Sequence, residues 1–283
     1  MRMLKTIARL PAAALAFAGL LAPPVCHAEP RPLWEIGAGF SVLSMPDYRG
    51  SDITNVHLLP VPYLVYRGEF LKADQGGLRG LLFESERLEV NISLNGTLPA
   101  LDDDNPARQG MDELRPTAEV GPTADFHLWR SADRRMRLDL RLPVRTAITV
   151  ERSPRQIGWL FSPNLILEMR DPPGLPGWNF SLQGGPYFND REYNGYFYSV
   201  RPAEATATRP AYDAAGGYSG SQLMVTLTRR FPRYWVGGYL RYDMLSGAVY
   251  ENSPLVETKD AVSAGIALSW VFGVSSRRVE VAE

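Results

Sequence analysis

The segment RMRLDLRLPVRTAI, residues 135–148, alternates between two kinds of side chain over its whole length. Its even positions carry Met, Leu, Val, Thr or Ile, whereas four of its odd positions carry arginine. Successive side chains of a β-strand point to opposite faces, so this strand would have one aliphatic and one basic face. A helix would instead distribute the arginines around its circumference. The alternation therefore predicts a long β-strand.

Similar alternation recurs along most of the chain, in residues 34–42, 88–95, 118–128, 178–183 and 261–272. Stretches rich in turn-forming residues separate these segments, at 102–106, 131–134, 171–177, 189–195, 214–220 and 251–254. Strands with such punctuation predict an antiparallel all-β meander. We find no helical pattern of useful length after residue 28 and no repeat of fixed period.

Strand length separates the two all-β architectures that this pattern allows. Residues 135–148 exceed the usual strand of about 5–6 residues in a soluble β-sandwich, whereas a membrane strand needs about 9–11. Aromatic side chains also lie near segment ends, as the interfacial belts of a membrane barrel require. These include Trp34, Tyr63, Trp129, Trp159, Tyr187, Trp235, Trp270 and Phe272. We therefore predict an antiparallel transmembrane β-barrel of about 10–12 strands.

The polar faces of these strands would line a narrow lumen and fill much of it. We expect ion-paired packing there among seven charged residues, namely Arg137, Arg141, Arg145, Glu119, Asp125, Glu168 and Asp243. This interpretation requires no binding or catalytic role for any of them.

Residues 1–28 have the three-part pattern of a cleaved secretory signal peptide. Arg2, Lys5 and Arg9 precede a short apolar run, and Cys26-His27-Ala28 supplies small residues at the cleavage positions. The apolar run is too short for a membrane-spanning helix, which needs about 20 apolar residues. We therefore predict export from the cytoplasm and cleavage after Ala28.

Cleavage would leave a barrel domain over residues 29–272 and a polar C-terminal tail over residues 273–283. The mature chain would hold 27 Lys and Arg against 31 Asp and Glu, a net charge of −4. This balance excludes the basic composition of a nucleic-acid-binding protein. Cys26 is the one cysteine and is lost with the signal peptide, so the mature chain has no disulfide.

Short motifs follow one another along the predicted barrel. They include Pro46-Asp47-Tyr48-Arg49-Gly50-Ser51, Tyr66-Arg67-Gly68, Gly121-Pro122, Gly185-Pro186-Tyr187-Phe188 and Arg241-Tyr242-Asp243-Met244-Leu245-Ser246-Gly247-Ala248. The order and spacing of these motifs resemble those of the MipA/OmpV family of outer-membrane proteins. The resemblance covers essentially the whole mature sequence.

The resemblance implies a place in the outer membrane of a Gram-negative bacterium, in contact with its lipid. The family is named after a scaffolding protein that bridges a murein-degrading lytic transglycosylase and a murein synthase. The resemblance therefore implies periplasmic murein hydrolase and synthase partners. It implies no catalytic, cofactor-binding or metal-binding residues.

The mature chain has two histidines, His57 and His127. His127 shares a predicted strand face with Asp125, a pairing that a hydrolase would use for its base and orienting carboxylate. No G-x-S-x-G motif accompanies the pair, so polar packing in the lumen is the preferred interpretation. His57 lies near a strand start and is expected at the interface or in a loop.

Two further segments invite a binding interpretation. Asp102-Asp103-Asp104-Asn105 is acidic, but it lacks the spacing, the central glycine and the distal glutamate of a calcium loop, so we predict a solvated loop. Residues 187–218 are rich in tyrosine and predict a long extracellular loop, either a recognition surface or a partial plug.

Three functions are compatible with this sequence. The preferred one is a non-enzymatic scaffold or adaptor linked to murein assembly, with no catalytic, cofactor-binding or metal-binding residues. The second is a small outer-membrane pore with an arginine-lined lumen. The third is a barrel hydrolase, for which Asp125 and His127 are the supporting residues.

Overall fold

The computed structural model describes residues 30–74, 77–97 and 105–280. Within these ranges the chain forms an antiparallel barrel, which the pairing of β8 with β10 closes, and the predicted fold class is confirmed. The strands are β1 Pro30–Pro32, β2 Trp34–Pro46, β3 Thr54–Arg67, β4 Leu71–Asp74, β5 Gly77–Glu84, β6 Leu88–Thr97, β7 Thr117–Arg130, β8 Met136–Thr149, β9 Gln156–Phe161, β10 Asn164–Arg170, β11 Asn179–Asn189, β12 Gly217–Arg230, β13 Tyr234–Met244, β14 Asp260–Val274 and β15 Arg278–Glu280.

Twelve segments of this described part form the wall, at the upper end of the predicted range. Strands β9 and β10 are two halves of one of them, interrupted at Ser162-Pro163. Five connections at one end are short turns, and β1 and β15 pair with each other at this end. The opposite end carries the longest connections, such as those between β11 and β12 and between β13 and β14. In outer-membrane barrels the short turns face the periplasm, which orients the molecule.

The two faces of the wall follow the predicted alternation. On β8 the odd residues face the lumen, where Asp139 and Arg145 are buried, whereas Val144 between them is 41% exposed on the outer surface. Large apolar side chains also cover the outer face of other strands. The most exposed are Phe40, Val56, Leu58, Ile266 and Phe272. The wall is therefore apolar outside and polar inside, as a strand in lipid requires.

Three aromatic residues that we predicted in the interfacial belts face the lumen instead. The Tyr63 and Trp235 rings lie 6.2 Å apart inside the barrel, and Trp235 is paired with the buried Ser269. Tyr187 lies under the guanidinium of Arg49, 4.4 Å from its ring centroid. A period of two assigns a side chain to one of two faces, and strand position alone could not show which face these residues take.

Strand β4 is short, and among the described residues it pairs with only the last part of β3. Strand β3 pairs with β2 over its whole length, but with β4 only at Tyr66 and Arg67. In the described part of the chain, residues 54–64 therefore pair on one side alone. Few paired residues therefore join β3 to the β4–β5 hairpin within the described part of the wall.

One helix, α1 (Arg191–Tyr198), corrects the expectation of no helix and of a turn over residues 189–195. Asp190 caps it, since its Oδ1 accepts a hydrogen bond of 2.8 Å from the Tyr193 N–H. Short 3-10 turns occur at Pro106–Arg108 and Pro202–Glu204. An eight-residue helix has too few turns to show a clear apolar period in the sequence.

The last wall strand continues two residues beyond Phe272, to Val274. Within the predicted tail, Arg278–Glu280 pairs with Pro30–Pro32 near the first strand of the barrel. The predicted signal peptide lies outside the described residues, as does most of the acidic segment at 102–105. None of the helices in the described ranges has the length and hydropathy needed to cross a membrane.

Candidate functional site

A first layer of ion pairs crosses the lumen near its periplasmic end. Glu35 on β2 accepts a hydrogen bond of 2.9 Å from Arg67 on β3 and another of 2.9 Å from Arg230 on β12. Its side chain is 8% exposed, so two arginines from neighbouring and distant strands share one nearly buried carboxylate. This arrangement ties non-adjacent strands together across the barrel interior.

A second layer connects β5, β6, β7 and β8. Arg79 pairs with Glu89 at 2.9 Å, and Asn91 donates to both Glu89 and Asp125. Asp125 in turn pairs with Arg141 at 2.6 Å. Asp125 and Arg141 belong to the set predicted to pack as ion pairs, and the structure brings them into contact because they are directly opposite on β7 and β8.

The proposed His127–Asp125 dyad does not form. His127 Nδ1 lies 2.9 Å from Asp139 Oδ1, because these residues are opposite each other in the β7–β8 register. Asp139 also pairs with Arg137, which reaches Glu168 at 2.9 Å. Residues at i and i+2 on one strand face are farther apart than cross-strand partners, so the register decides the pairing.

Beyond these layers lies a cavity of about 440 Å³ that four arginines line, namely Arg49, Arg141, Arg145 and Arg241. Asp243 joins two of them, since it accepts hydrogen bonds from Arg49 (2.8 Å) and Arg241 (2.7 Å). Arg49 also donates to the carbonyl oxygens of Ser219 and Ser221. Arg49 and Arg241 were not among the predicted lumen residues, although both lie in the motifs that carry the family resemblance.

Arg145 differs from the other cavity arginines because its hydrogen bond goes to a hydroxyl group and not to a carboxylate. It is buried, and its one hydrogen bond within the described residues runs from Nε to Ser93 Oγ, 2.9 Å away. It makes no direct ion pair in that part of the chain, but the buried carboxylate of Glu119 lines the same cavity and attracts it. Gly121 lies between Arg145 and Ser93, and a Cβ there would lie 2.8 Å from the Arg145 Cα. The glycine thus leaves the guanidinium free to reach across β7.

Extracellular connections, together with three residues from the upper ends of β8 and β9, form a hydrophobic cluster above this cavity, which we call the cap. Its buried members are Tyr48, Ala147, Ile157, Leu160, Phe197, Tyr198, Val200, Ala214, Leu245, Ala248, Tyr250 and Leu255. Tyr198 and Tyr250 stack with ring centroids 3.7 Å apart, and Tyr250 is fully buried. The tyrosine-rich segment predicted as a recognition surface or partial plug therefore packs inward and supplies the core of a plug.

Hydrogen bonds fasten the connections of the cap to one another. Tyr48 Oη donates to the Leu255 carbonyl at 2.8 Å, and Tyr198 Oη donates to the Arg49 carbonyl at 2.8 Å. Asn105 is buried and donates to both Asp47 (2.7 Å) and Ser51 (3.0 Å). The one described residue of the acidic segment is therefore a structural anchor. Among the described residues, no cluster of His, Cys, Asp and Glu could hold a metal ion.

The cap also contains a carboxyl pair on its outer side. Partial desolvation, together with a hydrogen bond and the charge from Asp52, raises the pKa of Glu257 to about 7. The Glu257 N–H donates to the Gly50 carbonyl at 2.8 Å, which holds the two connections together. Burial likewise raises the pKa of Tyr198, so this phenol stays protonated.

Comparison with known proteins agrees with this architecture. Residues 38–272 match the family described as "MltA-interacting protein MipA". The chain belongs to this family. Two relatives of the MipA family are Outer membrane protein Omp26La of Vibrio anguillarum and Outer membrane protein OmpV of Vibrio cholerae serotype O1. Each is 26% identical over 215 residues, which cover 73% of this chain and 76% of the relative.

These relatives carry names of outer-membrane proteins, not of enzymes, and this member of the MipA family is an outer-membrane barrel of a Gram-negative bacterium. A solved structure described as "CymD monoaromatic hydrocarbon channel" covers 86% of this chain and 89% of its own. Its sequence identity is 12% and its TM-score is 0.31, a value too low for any inference about function.

Proposed function

We propose that this protein is a non-enzymatic scaffold of the outer membrane, linked to murein assembly. The observation that carries the proposal is the polar packing of the lumen: two layers of ion pairs lie within it and the cap packs at its extracellular end, and we expect this packing to obstruct the axial path. The family's name, MltA-interacting protein MipA, supports a periplasmic partner among the murein enzymes. The signal peptide over residues 1–28, the barrel domain over 29–272 and the tail over 273–283 belong to the same proposal.

The periplasmic turns offer a surface for such partners, which we call the basic arc. Its exposed residues are Arg134, Arg135, Arg170 and Arg233. The turns are adjacent, since the Arg170 N–H donates to the Arg135 carbonyl at 2.8 Å. Asp133 and Asp171 lie in the same turns, so arginine outnumbers carboxylate. Exposed arginine is common at protein interfaces, and a basic surface attracts an acidic partner.

Crosslinking in cell envelopes tests this proposal. A photoreactive residue at position 135 should capture murein hydrolases or synthases from envelopes of the source bacterium. Charge reversal, R135E with R233E, should abolish their recovery because it removes the attraction to an acidic partner. R155E, at an exposed arginine of an extracellular connection, is the matched control. Recovery of no murein enzyme by the unaltered chain would contradict the scaffold proposal.

A pore is the second candidate, and the arginine-lined cavity is the observation that favours it. Reconstitution in planar bilayers separates the two functions. A scaffold with an obstructed lumen should give no stable unit conductance. Stable conductance with an anion preference that falls in R141A and R145A would support the pore and overturn the obstructed barrel.

A further inference from the structure

Five arginines surround a small pocket at the periplasmic mouth of the lumen, which we call the mouth pocket. Its volume is about 40 Å³, enough for one carboxylate group or about three water molecules. The lining comes from the facing ends of β7, β8 and β10 and from the turn between β7 and β8. Its charged members are Arg130, Arg134, Arg135, Arg137, Glu168 and Arg170. Among the lining residues, five guanidinium groups therefore share one carboxylate.

The strand register brings like charges together at this mouth. Arg130 on β7 lies directly opposite Arg137 on β8, and Glu168 on β10 lies opposite Arg137 on its other side. Opposite residues share a face of the sheet, and the odd residues of β8 face the lumen, so these three side chains point inwards. Like charges directly opposite each other destabilise a sheet. The register thus concentrates positive charge at the mouth at a cost to the wall.

The backbone of the bordering turns is strained at an arginine. In the described chain, two residues other than glycine have a positive φ, Arg134 at 56° and Asp171 at 49°. Both lie in turns next to the mouth pocket. Aspartate adopts this conformation readily, whereas at Arg134 a glycine would fit without strain. Such strain is typical of functional sites. The turn thus keeps a cation in the pocket where its backbone favours glycine.

The carboxylates around the mouth pocket do not balance its arginines. Four of them contact these arginines or lie in the same turns, namely Asp133, Asp139, Glu168 and Asp171. Asp139 is shared with His127. Asp74 also attracts Arg137, but it is itself paired with Arg79. The five arginines therefore exceed the four carboxylates by one positive charge.

The arginines also keep hydrogen-bonding capacity for a ligand. Arg137 donates to Glu168, and Arg130, Arg134 and Arg170 have interactions within the chain as well. Each guanidinium nevertheless carries five N–H donors, so one internal partner does not exhaust it. Guanidinium groups bind carboxylates and phosphates through paired hydrogen bonds. The pocket is therefore suited to an oxyanion.

Charge and extent favour a carboxylate on an extended segment. One excess positive charge matches a singly charged carboxylate better than a phosphate, which carries about −1.5 to −2 at neutral pH. Arg134, Arg135 and Arg170 belong both to the pocket and to the basic arc, which continues to Arg233. The arc offers further positive charge outside the pocket. A segment with several acidic residues therefore fits this surface better than a small free anion does.

We propose that the mouth pocket binds one carboxylate of an extended acidic segment from a periplasmic partner protein. The carboxylate accepts hydrogen bonds from the guanidinium groups of the pocket, and neighbouring acidic residues of the segment lie along the basic arc. A narrow segment is needed because Arg137 and Glu168 lie inside the mouth. The inference rests on the scaffold function proposed above and specifies the chemistry by which the scaffold recognises its partner.

Peptide binding to the purified barrel in an uncharged detergent tests the pocket. The probe is a rhodamine-labelled, amidated six-residue peptide of alternating glycine and glutamate, and the reference has glutamine in place of glutamate. Fluorescence anisotropy should show at least about tenfold tighter binding of the glutamate peptide. R134G should lose about tenfold, because charge-assisted hydrogen bonds are lost while glycine keeps the shape of the turn. R155Q, at an exposed extracellular arginine, should leave binding unchanged.

E168Q gives a result that a folding defect cannot imitate. Removing the Glu168 carboxylate takes a competitor from the pocket arginines, so the glutamate peptide should bind about threefold more tightly. E84Q removes the same charge from a half-exposed residue at the same end of the barrel and should leave binding unchanged. Equal binding of the two peptides, or unchanged or weaker binding in E168Q, overturns the proposal.

Competition identifies the source of the anion. The competitors are inorganic phosphate, lysophosphatidylglycerol and a soluble murein stem peptide. Displacement of the probe by any of them at a lower concentration than the unlabelled glutamate peptide overturns the assignment to a protein segment. Peptide binding without recovery of murein enzymes in the envelope crosslinking would support the pocket and contradict the scaffold. Recovery of murein enzymes without peptide binding would support the scaffold and overturn the pocket.

Discussion

The wall and the cap of this barrel obey opposite rules of burial. In the wall, apolar side chains such as Ile266 point outwards and are 68% exposed, whereas charged groups such as Glu35 are enclosed. In the cap, apolar and aromatic side chains point inwards, and Tyr250 has no exposed surface. The difference follows from the solvent: lipid surrounds the wall, whereas water surrounds the cap. Each region should therefore respond to a different kind of substitution.

The largest effect is expected from Tyr250→Ala in the cap. The substitution removes a fully buried ring that stacks on Tyr198 at 3.7 Å and donates to the Ser219 carbonyl at 3.0 Å. We expect the cap to lose about 3–5 kcal/mol, because large-to-small changes in a core leave a cavity. Limited proteolysis of the extracellular connections in detergent measures it, and the wall should retain its heat-modifiable mobility in gels.

Ile266→Ala is the matched control for that substitution. Ile266 is an outward residue of β14, and its side chain contacts lipid and not the cap. Its effect on cap proteolysis should be negligible. Equal sensitivity of the Y250A and I266A proteins would show that the cap is no separate core, and would remove the contrast with the wall.

A slightly smaller effect is expected from Glu35→Gln in the wall. Glu35 is the shared partner of Arg67 and Arg230, and removing its charge leaves two enclosed guanidinium groups without compensation. Breaking a buried ion pair costs about 3 kcal/mol. Denaturant unfolding followed by tryptophan fluorescence measures the loss. Glu84→Gln is the matched control. Glu84 is half exposed and pairs with Lys72, so its loss should cost less than about 1 kcal/mol.

The contrast between wall and cap also explains what could be predicted from the sequence. The wall depends on a period of two, which is local, so the strand of residues 135–148 and the inward face of Arg141 were accessible to sequence reasoning. The pairing of His127 with Asp139 instead of Asp125 depends on the register between β7 and β8. A single strand does not reveal its register, because a neighbouring strand determines it.

The cap could not be predicted in the same way. Its contacts join residues that are far apart in the chain: Tyr48 and Leu255 are separated by 207 positions. Aromatic residues in long connections fit a recognition surface and a packed plug equally well, and only the tertiary fold decides between them. The one-sided pairing of residues 54–64 within the described chain had one local signal, Pro60 and Pro62 in a segment of strand character, which is typical of an edge strand.

A moderate effect is expected from Tyr48→Phe. The variant keeps the ring in the cap and loses the hydrogen bond from Tyr48 Oη to the Leu255 carbonyl, which is 2.8 Å long. We expect a loss of about 1 kcal/mol in cap stability. Hydrogen exchange of the amides at 253–257 should accelerate, whereas exchange in β8 should not change. Faster exchange in both regions would mean that cap and wall unfold as one unit.

The smallest effect is expected from pH, and it concerns the cap alone. The pKa of Glu257 is raised in the folded protein to about 7, first by desolvation and then by Asp52, so the folded state holds this proton more tightly than the unfolded chain does. Its stabilising contribution is present below the ordinary pKa of 4.5 and is lost as the pH rises through about 7. Proteolysis of the extracellular connections should therefore be faster at pH 8 than at pH 5.

In E257Q the group no longer titrates, and this pH dependence should become shallow. An equally steep dependence in E257Q would assign the effect to another group. Both carboxyls have surface exposed to water, so solvent screening keeps the effect below that of the three substitutions above.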